Sequence, residues 1–246
     1  MTNYKLIIEY DGSRYYGWQR QPDQNTIQGK IEDVLTKMCD REVEVIGAGR
    51  TDAGVHAKEF CFNAKIDNSI SCDGLKKAMN SLLPKDIAVL SCCDADESFH
   101  ARYDSKGKEY MYLVNNGRDR DVFMADTSFF YPFRLDEERL DNASKLFIGE
   151  HDFAAFCKAE AKEHLKSTVR TITDFRVIRE GDYVKFFVRG NGFLHNMVRI
   201  LVGTLIYVNE GKRTEKDIIL SLEKGEREIA GKTISPSGLY LNKVFY

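Results

Sequence analysis

Leu6, Ile8 and Tyr10 alternate with other positions near the start of the chain, the two-residue period of a strand with one buried face. Ile27, Ile31, Val34, Leu35 and Met38 then fall at helical spacing behind a capping Asn25 with Gln28 three residues on. Val43 to Ile46 reads as a strand, and Phe60, Phe62 and Ala64 alternate as another. Leu75, Ala78, Met79 and Leu82 define a second helix ended by Pro84, and Ile87, Val89 and Leu90 open a further strand. The order is β-α-β-β-α-β. Strands over 110–114, 171–179, 183–189 and 239–245, with helices over 136–147 and 195–209, repeat it, and an amphipathic segment over 214–222 precedes the last strand. The pattern predicts an α+β fold of two ferredoxin-like lobes, residues 1–104 and 105–246, packed as one unit. Their strands would form one extended mixed, mainly antiparallel sheet, with helices on one face and a cleft on the other. Residues 157–166, without a strong apolar face, read as an exposed, mobile excursion.

The apolar content suffices for a buried core. No basic, apolar and small-residue leader is legible, and the most apolar run, Met197 to Val208, is too short to span a bilayer and contains Arg199. Export and membrane insertion are not expected. Six cysteines without Cys-x-x-Cys spacing or histidine neighbours predict free thiols in a cytoplasmic protein, with no metal.

Chemistry gathers in Gly49-Arg50-Thr51-Asp52-Ala53-Gly54-Val55-His56-Ala57, a short connection between two predicted strands. Gly47, Gly49 and Gly54 open backbone angles closed to other residues, so Asp52 can project from a tight turn into a cleft. Asp and Gly are also ordinary residues of a structural turn. Arg199 stands among Val198, Ile200, Leu201 and Val202, where a guanidinium needs a partner or must reach solvent.

The whole loop closely resembles the signature of the tRNA pseudouridine synthase A family. Tyr10-Asp11-Gly12, the run from Tyr16 to Pro22, Thr26-Ile27-Gln28-Gly29, Phe99-His100-Ala101-Arg102 and the run from Lys108 to Tyr112 are similar to further motifs of that family. So are the runs from Ser167 to Ile172 and from Gly192 to Arg199, and Gly238-Leu239-Tyr240-Leu241, all in the family's order.

The resemblance implies a cytoplasmic isomerase that converts uridine to pseudouridine at positions 38–40 of the tRNA anticodon stem-loop, without a cofactor and as a homodimer. It places catalysis on Asp52, with Arg199 as its ionic partner. Tyr110 would stack on the base and take part in proton transfer at C5. Leu239 would wall the uracil, and Arg50 would assist base flipping. Arg102, Arg170 and His56 would orient the RNA or contact phosphate. Whether Asp52 attacks C1′, attacks C6 or deprotonates the sugar stays open, and a non-catalytic RNA-binding paralogue is the alternative. An enzyme acting on free nucleosides is a more remote one.

A formal net charge of −2 runs against RNA binding unless the cations are segregated. Arg14, Arg20, Arg50, Lys58, Arg102, Lys106, Lys108 and Arg170 lie in or near the motifs, and acids collect over 136–141 and 223–228. A basic cleft with an acidic back is the expectation.

Overall fold

The computed structural model describes residues 1–66, 70–158 and 165–246. The excursion expected over 157–166 falls for the most part on 159–164, outside the described residues. The chain forms two compact units, one of residues 1–106 and 241–246, the other of residues 107–240. The fold is α+β with mixed, mainly antiparallel strand pairing.

The first unit has the order β-α-β-β-α-β that the periodicity predicts. Its elements are β1 (Thr2–Tyr10), α1 (Ile27–Cys39), β2 (Val45–Gly47), β3 (His56–Ile66), α2 (Cys72–Leu82) and β4 (Ile87–Ala95). β1 lies between β3 and β4, antiparallel to both, and β2 pairs antiparallel with β3. Leu6 and Ile8 of β1 and Phe60 and Phe62 of β3 are fully buried, as are Ile31 and Leu35 of α1 and Met79 of α2. Helix α1 starts behind Thr26, whose hydroxyl accepts from Gly29 N at 3.3 Å. The expected cap, Asn25, is engaged elsewhere: its amide donates to Arg14 O at 2.9 Å and its carbonyl accepts from Tyr16 N at 2.8 Å. Residues 241–246 pack here because Lys106 N donates to Phe245 O at 2.8 Å and the Tyr246 hydroxyl to Ala101 O at 2.7 Å.

The second unit holds β5 (Gly107–Asn115), β6 (Phe129–Phe130), α3 (Glu137–Ser144), β7 (Gly149–Asp152), β8 (Val169–Glu180), β9 (Tyr183–Gly190), α4 (Met197–Asn209) and α5 (Glu215–Lys224). Its strands run in the order β5-β9-β8-β7, and β6 adds to β5 in parallel. Strands as short as β6 and β7 carry no alternation to read, and the periodicity does not predict them. Helix α4 is apolar nearly all round and buried nearly all round, from Ile200 to Val208. It accommodates the main chain of the 231–234 segment because Gly203 has no Cβ to collide with Lys232 O, and Gly231 N donates to Thr204 Oγ1 at 2.8 Å. A capping box of Thr214 and Asp217 starts α5, and Gly225 in the left-handed region stops it. No helix of the described residues is long and apolar enough to cross a membrane.

Acids expected to form a charged back serve helices and ion pairs. Asp136 caps α3, and Glu137 Oε2 accepts from Arg179 Nε at 2.8 Å. That hydrogen bond holds the Glu137 carboxyl below its ordinary 4.5. A carboxyl depressed by folding contributes stability that is present above its unfolded pKa and lost as pH falls through the folded one. Glu137→Gln should therefore lower stability at neutral pH by roughly 0.5–1 kcal/mol, the scale of a partly exposed pair. Thermal unfolding at neutral pH and near pH 3 checks this, because the variant and the parent should converge in acid, and a gap that persists there would assign the loss to packing.

Candidate active site

The segment from Ala48 to Val55 connects β2 to β3, and its shape is set by main-chain partners. Ala48 N donates to Cys61 O at 2.8 Å, and Val55 N turns back to Asp52 O at 3.1 Å. A second loop, residues 11–18, lies directly on it. Trp18 N donates to Thr51 O at 3.1 Å, and Gly54 N donates to Tyr15 O at 3.2 Å. Gly17 has φ +86°, and a Cβ there would fall inside contact distance of Thr51 O and 3.1 Å from the carbonyl carbon of Asp52. Trp18 stacks on Phe60 with ring centroids 4.0 Å apart, which roots the outer loop in the core. Asp52 is half-buried and Arg50 is exposed. Arg50 makes no hydrogen bond or ion pair with any described residue.

Three side chains support this loop in ways the sequence does not indicate. The buried Tyr10 hydroxyl meets Thr51 Oγ1 at 2.9 Å, one residue before Asp52. Asp86 accepts from the Tyr15 hydroxyl at 2.7 Å and from Arg14 at 2.6 Å, and its carbonyl accepts from Asp11 N at 2.9 Å. His56 is buried, its Nδ1 3.0 Å from Gly12 N and 3.1 Å from Asp11 Oδ1. One ring nitrogen cannot accept from Gly12 and donate to Asp11 together. Either contact ties the ring to the 11–12 turn. Buried in this way, His56 shapes the loop and presents no surface to a phosphate.

Gly17→Ala should cost roughly 1–3 kcal/mol, since it combines a left-handed angle with a collision against Thr51 O. Any shift of Asp52 should cut turnover by more than about tenfold. Thermal melting and a turnover assay on the same preparation check it; an alanine variant that matches the parent in both would show that the loop tolerates displacement.

The second unit carries the other expected residues. Tyr110 on β5 is half-buried, and its ring meets Phe193 edge-on at 5.0 Å. Tyr112, on the same face of the strand, is fully buried, donates to Ser235 O at 2.7 Å, and has its phenol pushed far upward by burial. Arg199 Nε donates to Ile234 O at 2.7 Å and Nη1 to Asn196 Oδ1 at 2.6 Å. Asn196, at φ 62°, turns the chain into α4 and thereby aims Arg199. Leu239 is buried, and Gly238 before it lies where a Cβ would sit 2.5 Å from Leu113 O and 2.8 Å from the Tyr112 ring.

Two of the expected RNA-facing cations are paired with carboxylates, and a third is bonded to main-chain carbonyls, with no carboxylate partner among the described residues. Arg14 pairs with Asp86, Arg20 pairs with Glu32 and Asp33 at 2.6 Å each, and Arg170 Nη1 donates to Ser167 O and Val169 O at 3.0 and 2.6 Å. Arg102 is exposed beside the Tyr103 ring, with its guanidinium carbon 5.9 Å from the ring centroid. No group of three His, Cys, Asp or Glu suited to a metal ion occurs among the described residues.

The family model described as tRNA pseudouridine synthase matches residues 6–104 and 143–246. The chain belongs to that family. It is 44% identical over 246 residues to tRNA pseudouridine synthase A 2 of Clostridium perfringens (strain 13 / Type A), covering both chains completely. To tRNA pseudouridine synthase A of Caldicellulosiruptor bescii it is 42% identical over 246 residues, again the whole of both. To the enzyme of that name from Geobacillus sp. (strain WCH70) the identity is 44% over 243 residues, 98% of this chain and 97% of the relative. The chain is thus a pseudouridine synthase, an enzyme of the isomerase class. The match takes in the Asp52 loop and Arg199, and leaves out 105–142, where Tyr110 lies.

Proposed function

We propose that the protein isomerises uridine to pseudouridine in the anticodon stem-loop of tRNA, on its 3′ side at positions 38–40, with Asp52 as the essential carboxylate. The observation that carries this reading is the seat of Asp52, a half-buried carboxylate in a loop fixed by main-chain bonds beside an exposed, unengaged Arg50. The reaction breaks the N1–C1′ bond, turns the uracil and joins C5 to C1′; the proton lost from C5 is balanced by one gained at N1. No electron or group is imported.

A carboxylate serves each open route, since it can attack C1′, attack C6 or take a sugar proton. Tyr110 stacks on the base and its hydroxyl handles the C5 proton, with Arg199 as the balancing cation. Leu239 supplies an apolar wall that discourages loss of the detached uracil. Arg50 holds the flipped nucleotide in place, and Arg102 and Arg170 meet the RNA backbone. A homodimer in the cytoplasm is the setting that agrees with the family resemblance, and the two units act as one catalytic body. Mapping pseudouridine in tRNA from cells with and without the protein tests the reading; loss of the modification anywhere but the anticodon stem-loop would overturn the assignment of position.

Charge gives a separate test. tRNA affinity should fall steeply with salt despite the net charge of −2, because each neutralised phosphate releases counterions. Arg50→Ala and Arg102→Ala should each reduce the slope of log affinity against log salt by roughly 0.7–0.9. Arg14→Ala and Arg20→Ala should leave it unchanged, because their guanidiniums are held by carboxylates. A flat dependence in the unmodified protein would favour a free nucleoside as substrate.

A further inference from the structure

The second unit contains a cavity of about 310 Å³ whose walls include Asn115, Arg120, Asp121, Phe129, Phe130 and Ser237. That volume lies at the small end of the range for ligand pockets. None of these residues has a part in the reaction described above, and most of the wall comes from 105–142, the stretch outside the family match.

Asn115 ends β5 and is 3% exposed. Its Oδ1 accepts from Gly117 N at 3.1 Å, whereas its Nδ2 has no acceptor among the described residues. With its oxygen engaged, the amide nitrogen is available as a donor to whatever fills the cavity. Phe129 and Phe130 are half-buried, and the exposed Arg120 places its guanidinium 5.6 Å from the Phe130 ring centroid. Asp121 is turned toward the protein, accepting from the Tyr183 hydroxyl at 2.6 Å and from Phe123 N at 2.9 Å. Ser235 and Ser237 are bonded to each other at 2.8 Å, which leaves Asn115 and Arg120 as the donors facing an occupant.

We propose that this cavity is a subsite for an unpaired base of the RNA substrate. Aromatic faces and an arginine plane hold splayed-out bases whatever their sequence, and a single amide donor suits a ring carbonyl or ring nitrogen. The edge of the Arg120 guanidinium remains free for the adjoining phosphate. A free nucleotide has the same chemistry but a weaker claim: the lining residues include no glycine loop and no α-helix start, so one cation and two rings would have to carry nearly all of its affinity. Attached to RNA already held elsewhere, the base arrives at high effective concentration. The inference rests on the RNA substrate of the proposed function and is independent of the role of Asp52.

Ala125 is an exposed wall residue, so Ala125→Trp fills the mouth without disturbing the core, and Arg120→Ala removes the cation. Both variants should melt like the parent and bind tRNA roughly 5- to 150-fold more weakly, the equivalent of one stacked base. Photocrosslinking of 4-thiouridine-substituted tRNA should label the peptide over 115–130 in the parent and not in Ala125→Trp. Unchanged affinity and crosslinking in both variants would overturn the subsite while leaving the proposed function standing. Absence of tRNA binding by the parent would instead overturn the proposed function. Titration with uridine, cytidine and adenosine monophosphates separates the sources: binding that Ala125→Trp abolishes with no effect on tRNA assigns the cavity to a free nucleotide. A change in oligomeric state of Ala125→Trp by light scattering would assign it to a protein contact. Either result overturns the proposal.

Discussion

Asp52→Asn should reduce isomerisation by roughly 10³-fold or more while tRNA affinity stays within about twofold of the parent. The amide has nearly the same shape as the carboxylate, and main-chain bonds hold the loop. Trp18 N to Thr51 O, Gly54 N to Tyr15 O and Val55 N to Asp52 O are all main-chain bonds, and the Gly17 approach is one of backbone on backbone. An asparagine cannot attack carbon or accept a proton as a carboxylate does, so each of the three open routes fails alike. Release of tritium from C5-labelled uridine in tRNA measures the chemistry, and filter binding of the same tRNA measures affinity. Turnover near that of the parent would remove Asp52 from the reaction, whereas equal losses in both assays would mean that the substitution had disturbed the loop.

The sequence makes the loop legible because its chemistry is local. Glycine, aspartate and arginine lie within a few residues, and alternating apolar runs on either side declare the strands that carry it. The loop's supports are not local, and so they leave no mark. Asp86 follows Pro84-Lys85 at the start of β4, where nothing distinguishes it from a turn residue, yet it holds Arg14 and Tyr15, 72 and 71 positions away. Tyr10 reads as an ordinary strand tyrosine, and its hydroxyl acquires meaning only when β1 and β3 set it against Thr51. Asn25 has the composition of a cap and loses that place to Thr26 because the 11–18 loop claims its side chain.

Charge shows the same limit. Arg14 lies beside the family-like motifs and Arg20 within one, and both look like RNA contacts, but carboxylates brought up by the fold engage both. Proximity in sequence to a motif does not separate a cation that faces a ligand from one that braces the loop presenting it. Apolar character is more dependable: the run over 197–208, read as a buried helix too short for a bilayer, is α4, buried along nearly its whole length.

Tyr110→Phe should lower the rate by roughly 10²- to 10⁴-fold, the range for loss of a proton-transfer group, with little change in tRNA affinity. The ring survives the substitution, and so does its edge-on contact with Phe193 at 5.0 Å, so stacking on a base should be retained. Tyr112→Phe is the internal control, because the two tyrosines share one face of β5 and differ in burial. The Tyr112 hydroxyl is committed to Ser235 O at 2.7 Å in the core, and its loss should cost about 1 kcal/mol of stability with little effect on the chemical step. Single-turnover tritium release and thermal melting of both variants separate the two roles. A Tyr110→Phe enzyme that turns over like the parent would leave Tyr110 only a packing residue, and the C5 proton would then need another acceptor.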